Sequence, residues 1–385
     1  MTVSVKNISS TNTPTAALSP IRVLMAAGGT GGHVYPAVAI ADAVKRNAPD
    51  AKILFAGTRD RMEWQAVPKA GYEIKSVWIS GFHRRLTAQN LLFPFKLITS
   101  LFQSFKILRS FKPDIVVACG GFAAGPIGWT AAKLNIPVVI QEQNSFPGVT
   151  NRMLAKYAAA IFTAFDEAKK FFPEEKVKLE GNPVRSQLEK SDRKSSLEAF
   201  NFTANAPVLL ILGGSGGAKA LNDIMSRELP RLHNELGLQV IWQCGERYLD
   251  DLRQDIDLKK YSRLRLMSFI DDMPAAYGAA DLVVTRAGAS TCSELMMAGQ
   301  PAVLVPSPNV AGDHQKKNAA SMVAANAAKL LEENKLKDSF LNTIRELIYD
   351  KDELKRMSSA MKQLARPDAA SAIAKEIFTI ADKRK

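Results

Sequence analysis

Short continuous apolar runs alternate along this chain with longer stretches in which apolar residues recur every three or four positions. The runs predict strands at 21–27, 51–56, 114–118 and 137–141 in the first half, and at 207–212, 238–243, 264–268, 281–285 and 301–305 in the second. The periodic stretches predict helices, notably at 34–47, 150–160, 219–235, 291–298 and 316–327. Strand and helix in alternation produce parallel sheets covered by helices on both faces, so the fold class is α/β.

One pattern occurs twice. Ile21-Arg-Val-Leu-Met-Ala-Ala-Gly-Gly-Thr-Gly-Gly-His33 returns as Val208-Leu-Leu-Ile-Leu-Gly-Gly-Ser-Gly-Gly-Ala218, each a buried strand breaking into a glycine-rich turn. Thr30 and Ser215 hold the same place in the two loops, 185 residues apart, about the length of one α/β domain. Two similar domains in tandem, with a cleft between them, follow from this spacing. The boundaries are a tail at 1–20, a first domain at 21–182, a polar linker at 183–206, a second domain at 207–366, and a last helical stretch at 367–385 too short to stand alone. That last stretch is expected to pack back on the first domain.

In open parallel sheets ligands bind beyond the carboxyl ends of the strands, where both glycine loops lie. Glycine lets backbone approach a phosphate, and the helix that follows offers unpaired N–H groups; glycines also serve plain strand-to-helix turns, and a loop by itself leaves both uses open. No acid ends the second strand, Ala51 to Thr58, where a dinucleotide fold has its ribose carboxylate, and no GxxxxGK[ST] loop is present. His33 stands at a helix entrance, placed either to take a proton from a hydroxyl or to bond the loop backbone. Glu294 is placed to bind two ribose hydroxyls or, given the Thr291-x-x-Glu294 spacing, to cap its own helix. Gln315, in Asp313-His-Gln315, and Asn144, in Glu142-Gln-Asn144, put polar groups on opposite walls of the cleft.

Composition sharpens the picture in two places. The three cysteines, Cys119, Cys244 and Cys292, have neither disulfide nor zinc spacing, which points to a reducing compartment. The Ser/Thr/Asn-rich first twenty residues lack the apolar core of a signal peptide, so the chain is expected on the cytoplasmic side. The net charge of +13 asks for an anionic partner, and its distribution says which kind. Between Lys75 and Lys112 there are seven basic residues (Lys75, Arg84, Arg85, Lys96, Lys106, Arg109, Lys112) and no acid. Leu91, Phe95, Ile98, Phe102 and Phe105 recur there at helical spacing, and Leu92, Phe93, Leu97, Leu101 and Leu108 widen the apolar side. A basic amphipathic helix lying in an anionic membrane surface fits this pattern, with an ordinary core helix as the alternative and no nucleic acid implied.

Taken in order, Gly28-Gly-Thr-Gly-Gly-His33 with Pro36, Gly120-Gly-Phe-x-x-Gly-Pro126, Glu142-Gln-Asn144, Gly181-Asn-Pro-Val-Arg185, Gly213-Gly-Ser215, Phe269-Ile-Asp-Asp272, Arg286-Ala-Gly-Ala289 with Ser293-Glu294, and Asp313-His-Gln315 closely resemble the MurG glycosyltransferases. The resemblance runs from Ile21 onward. It implies the GT-B fold, two Rossmann-like domains with a lipid acceptor on the first and a UDP-sugar mainly on the second. It further implies inverting transfer of GlcNAc from UDP-GlcNAc to the 4-hydroxyl of MurNAc in undecaprenyl-linked lipid I, in peptidoglycan synthesis and hence cell division.

Carried over by motif, His33 is the proposed general base, and Thr30, Gly31, Gly32 and Asn144 complete the donor and acceptor sides. Ser215 and Arg185 meet the diphosphate, Ile270 the uracil through its backbone, and Glu294 the ribose, beside Ala289, Ser290, Thr291, Cys292 and Ser293. Gln315 meets the GlcNAc hydroxyls. The resemblance implies no bound metal, a divalent ion such as Mg acting only through the substrate pyrophosphates, a peripheral place on the inner membrane, and contacts with other cell-wall synthesis proteins. Gly216 departs from the pattern, since the family commonly has Gln there. A UDP-GlcNAc 2-epimerase or glycolipid synthase of the same fold and a non-catalytic nucleotide-sugar binding protein remain as alternatives, with a dehydrogenase a distant third.

Overall fold

A computed structural model of the chain describes residues 20–81, 92–184, 192–214, 216–310 and 313–383. The first domain is a seven-stranded parallel sheet of β1 (Arg22–Ala27), β2 (Lys52–Gly57), β3 (Glu73–Ser76), β4 (Ile115–Gly120), β5 (Val138–Glu142), β6 (Ala160–Thr163) and β7 (Val177–Leu179), in the order β3-β2-β1-β4-β5-β6-β7. The second is a six-stranded parallel sheet of β8 (Val208–Leu212), β9 (Gln239–Gln243), β10 (Leu264–Met267), β11 (Leu282–Thr285), β12 (Ala302–Leu304) and β13 (Ala328–Leu330), in the order β10-β9-β8-β11-β12-β13. Strands such as β4 and β8 are buried along their whole length, which is why they read as unbroken apolar runs: helices cover both faces of a parallel sheet.

Three strands escape the apolar pattern, and a fourth, β6, is a buried run that lies where the expected helix at 150–160 ends. β3, β7 and β13 are short edge strands, and β3 and β13 carry Lys or Glu at exposed positions, as an unprotected sheet edge requires. The expected helix at 150–160 is shorter, since Val149–Leu154 tightens into a 3₁₀ turn at Ala155–Tyr157 and the chain enters β6 at Ala160. The stretch 183–206, read as linker, contains a helix, Arg193–Ala199, whose Leu197 joins Phe200 and Phe202 in the core of the second domain.

Both sheets reverse direction at their first strand. The order of β1 and β4 in one, and of β8 and β11 in the other, places a topological switch point at each glycine loop, and the crevice of such sheets opens there. The chain crosses between domains a second time after the helix Lys351–Leu364. The last helix, Ala369–Asp382, lies against the helix Gly31–Asn47, burying Ile373, Ala374, Ile377 and Ala381 in the first domain's core beside Val34, Ala37 and Ile40.

Because Ile373 is fully buried in that contact, Ile373→Ala is expected to lower unfolding stability by about 2–5 kcal/mol, read by chemical denaturation, through lost apolar burial and the cavity left behind.

Candidate active site

The first glycine loop is built around two side chains that face it from opposite directions. Glu63, fully buried, accepts from the Gly29 N–H at 3.0 Å and, through its other oxygen, from the Thr58 N–H at 2.9 Å and the Thr58 hydroxyl at 2.6 Å. The carboxylate sits so close that a Cβ on Gly28 would lie 2.5 Å from its Oε1. His33 enters from the helix side, its Nδ1 3.1 Å from the Gly28 carbonyl and 3.2 Å from the Thr30 hydroxyl. A carbonyl only accepts, so the proton is on Nδ1 and the lone pair on Nε2, the tautomer a general base needs. Burial lowers the pKa of His33, and the charge of His314 from the second domain lowers it further; the Gly28 carbonyl and Glu63 oppose them. The His33 ring occupies the space where a Cβ on Gly120 would lie, 2.7 Å from Cδ2, and Gly120 has φ +101°, so the loop after β4 accommodates the imidazole only as glycine.

The loop after β5 forms the next wall. Glu142 is buried and accepts from the Asn144 N–H at 3.0 Å, the Asn144 amide at 3.2 Å, the Gly148 N–H at 3.1 Å and the Asn151 amide at 2.8 Å. Burial raises its carboxyl pKa, and these four donors hold it down in part. Asn144 is thereby fixed, and its Oδ1 accepts from Asn318 Nδ2 at 3.3 Å across the cleft. Asn318, fully buried, also accepts at Oδ1 from the Ser145 N–H at 2.9 Å and hydroxyl at 3.0 Å, and donates to the Ala287 carbonyl at 3.2 Å. One amide therefore joins the loop after β5 to the loop after β11.

On the second domain the helix Ala289–Ala298 points its N-terminus at the first glycine loop, with Ser290 next to Gly32. Its N-cap is Gly288, so Thr291 already lies inside the helix and Glu294 is nearly two turns in. The capping alternative for Glu294 is removed by that register; the carboxylate accepts instead from the Tyr277 hydroxyl at 3.0 Å. Cys292, expected among the substrate contacts, is packed in the core with its thiol pushed up to about 12 by burial, and the Ser293 hydroxyl donates to the Ala289 carbonyl at 3.0 Å, so neither side chain faces the cleft. Ile270 is buried while its neighbour Phe269 is exposed, which pins the backbone between them at the surface. Gln315 Oε1 accepts from the Ser307 N–H at 2.8 Å, orienting its amide. Arg185 and Ser215 lie outside the described residues. The second glycine loop has its own brace, Gln243, whose amide donates to the carbonyls of Gly214 at 2.9 Å and Ser268 at 3.0 Å.

Glu63, Gln243, Tyr277 and Asn318 are the residues that sequence reasoning missed. Asn318 was within reach, three residues beyond Gln315 in a polar stretch; the other three sit in apolar or unpatterned surroundings with nothing to mark them.

The outer surface of the first domain carries a further feature. On the helix Phe93–Phe111 the small polar residues Ser100 and Ser104 are buried, while Phe95, Ile98, Phe102 and Phe105 are 66%, 68%, 57% and 40% exposed. Trp78 extends this apolar face, with Lys96 Nζ 5.7 Å from its ring centre, Lys106 4.5 Å from that of Phe102 and Arg109 5.5 Å from that of Phe105. This exposure counts against an ordinary core helix for the first part of Phe93–Phe111, while Ile107 and Leu108 near its end are buried in the core. Arg84, Arg85 and Leu91 lie outside the described residues. No helix among the described residues is long and apolar enough to cross a membrane.

The comparisons with known proteins agree with this geometry. Residues 23–163 match the glycosyltransferase family 28 N-terminal domain and 208–373 the glycosyltransferase family 28 C-terminal domain. A protein of Salinibacter ruber named UDP-N-acetylglucosamine--N-acetylmuramyl-(pentapeptide) pyrophosphoryl-undecaprenol N-acetylglucosamine transferase is 48% identical over 94% of this chain and 97% of its own length. One of the same name from Flavobacterium psychrophilum is 44% identical over 94% and 99%. The crystal structure of Acinetobacter baumannii MurG superposes with a TM-score of 0.76 at 31% identity, covering 94% of this chain and all of that one. A UDP-N-acetylglucosamine 2-epimerase structure shares the fold, with a TM-score of 0.65 at 16% identity over 96% and 98%. Two facing switch points, a histidine at the first glycine loop and these relatives along almost the full chain lead to one conclusion: the chain is a GT-B glycosyltransferase of family 28 and belongs to the MurG family.

Proposed function

We propose that this chain moves GlcNAc from UDP-GlcNAc to the 4-hydroxyl of MurNAc in undecaprenyl-pyrophosphoryl-MurNAc-pentapeptide, with inversion at the anomeric carbon. The observation that carries the reading is the pairing across the cleft of His33, with Nε2 as its lone-pair nitrogen, and the N-terminus of the helix Ala289–Ala298 with Glu294 behind it. His33 accepts the proton from the acceptor hydroxyl as that oxygen attacks the anomeric carbon, and the bond to UDP breaks on the opposite face. Glu294 holds the ribose, the backbone at Ile270 reads the uracil, and the oriented amide of Gln315 meets the sugar hydroxyls. Arg185 and the helix start after Ser215 stabilise the charge that develops on the diphosphate, a task for preorganised donors and a cation. Thr30, Gly31 and Gly32 hold the acceptor side with Asn144. A divalent ion enters this scheme only as a partner of the substrate pyrophosphates.

The exposed aromatic and basic face of the helix Phe93–Phe111 supports a lipid-linked acceptor. Phenylalanine and isoleucine suit insertion among acyl chains while Lys96, Lys106 and Arg109 suit anionic headgroups, which supports a peripheral position on the cytoplasmic face of the inner membrane; contacts with other cell-wall synthesis proteins rest on the family resemblance alone. An epimerase acting on a soluble UDP-sugar has no use for such a face.

The first experiment is transfer of labelled GlcNAc from UDP-GlcNAc to a short-chain lipid I analogue, with free UDP counted in parallel. Matched transfer and UDP release are expected; binding of UDP-GlcNAc with neither product would favour the binding-protein reading. His33→Ala is expected to lower kcat by about 10²-fold with donor KM nearly unchanged, and wild-type turnover would remove His33 from the role of base. A base must be unprotonated, so kcat/KM is expected to fall on the acid side, with a midpoint below the value of about 6.5 of an ordinary imidazole, as the lowered His33 pKa requires.

For the membrane, joint substitution Phe95→Ser, Ile98→Ser and Phe102→Ser is expected to weaken cosedimentation with phosphatidylglycerol vesicles by at least about tenfold without lowering the melting temperature, since all three side chains are exposed. Unchanged vesicle binding would exclude this face as the membrane contact.

A further inference from the structure

Glu294 carries ribose recognition in the reading above, yet it stands on an α-helix with several rotatable bonds between its backbone and its carboxylate. A hydroxyl on a different element donates to that carboxylate. Tyr277, on the helix Met273–Ala279, is 1% exposed, packs in the same core as Cys292 and Leu295, and donates its hydroxyl to Glu294 Oε2 at 3.0 Å. Burial and the neighbouring carboxylate raise the phenol pKa well above its ordinary value, so the hydroxyl keeps its proton and remains a donor.

The support beneath Tyr277 is firm. The Asp272 carboxylate accepts from the Ala275 N–H at 2.9 Å at the start of its helix, the Gln300 amide donates to the Tyr277 carbonyl, and the helix Arg193–Ala199 packs alongside. The helix Met273–Ala279 begins directly after Phe269–Asp272, the segment assigned to the uracil. One rigid element thus sets both the backbone that faces the base and the hydroxyl that fixes the carboxylate facing the sugar.

We propose that Tyr277 is a positioning residue for the donor ribose: its hydroxyl locks the Glu294 carboxylate in the orientation that accepts the ribose hydroxyls, and thereby sets the preference of the site for a ribonucleoside over a deoxyribonucleoside diphosphate sugar. The inference rests on Glu294 as the ribose ligand. A carboxylate that loses one of its donors regains part of its rotamer freedom and must be ordered again to that extent by each incoming sugar nucleotide, so the loss falls on ribose discrimination.

The test is the ratio of kcat/KM for UDP-GlcNAc to that for its 2′-deoxyuridine analogue, measured in the wild type, Tyr277→Phe, Glu294→Ala and the double variant, with melting temperatures alongside. Phenylalanine fills the same volume and lacks only the hydroxyl. Tyr277→Phe is expected to cut the ratio by about tenfold, mainly through the KM of the ribonucleotide, and the double variant to show the ratio of Glu294→Ala alone, because the hydroxyl acts through that carboxylate. A wild-type ratio in Tyr277→Phe, whatever its melting temperature, would overturn the inference and leave Tyr277 a core residue. A wild-type ratio in Glu294→Ala would overturn the ribose assignment itself, and the role of Tyr277 with it.

Discussion

The cleft depends on the amide of Asn318. It is buried between two loops that belong to different sheets, and its oxygen and nitrogen are engaged by Ser145, Asn144 and Ala287 at once. Hydrogen bonds sealed from water are costly to leave unmade, at about 1–3 kcal/mol for each orphaned partner, so the two walls hold a fixed register when they meet. Lys317, one residue before, adds a second tie by placing its ammonium over the Phe146 ring on the opposite wall. The first glycine loop then faces the start of the helix Ala289–Ala298, and all that the site can do follows from that confrontation.

Within the cleft, the chemistry rests on buried groups whose charge is balanced by backbone. Two N–H groups and a hydroxyl solvate Glu63, and it in turn fixes the loop carrying His33. Glu142 repeats the device under Asn144. Such buried carboxyl groups make rigid walls, because a rearrangement that loses a donor leaves a buried polar group unpaired. His33 is tuned by the same environment: desolvation makes it a weaker base, while the Gly28 carbonyl and Glu63 limit the loss. The outcome is an imidazole that is neutral near pH 7 and has its accepting nitrogen chosen in advance.

The outer face of the first domain obeys the reverse rule. An ordinary surface helix hides its phenylalanines and shows its serines, whereas the helix Phe93–Phe111 buries Ser100 and Ser104, each bonded to a carbonyl one turn back, and shows Phe95 and Phe102. Small residues let the helix lie close to its neighbour, and large apolar ones stay exposed. The first glycine loop with His33 and this exposed face belong to the same domain.

The sequence by itself determined the α/β class, the nine principal strands, the tandem glycine loops and the basic aromatic helix, because each of these is a local pattern: continuous apolar runs for strands buried on both faces, glycine where backbone turns sharply, and residue type along one helix. It also placed His33 and Glu294 beside loops at the carboxyl ends of strands. Only the tertiary structure decided what those residues touch. Glu63 and Tyr277 were invisible because a carboxylate or a phenol is given its role by partners 34, 5 and 17 positions away, brought close by sheet order and not by spacing. The helix register, not the Thr291-x-x-Glu294 motif, freed Glu294 from capping, since Gly288 and not Thr291 is the residue at which the helix starts. Which face of the helix Phe93–Phe111 turns outward was likewise left open by its periodicity, as a repeat of three and four fixes a stripe but not the side of the molecule it meets; packing against the neighbouring helix made that choice.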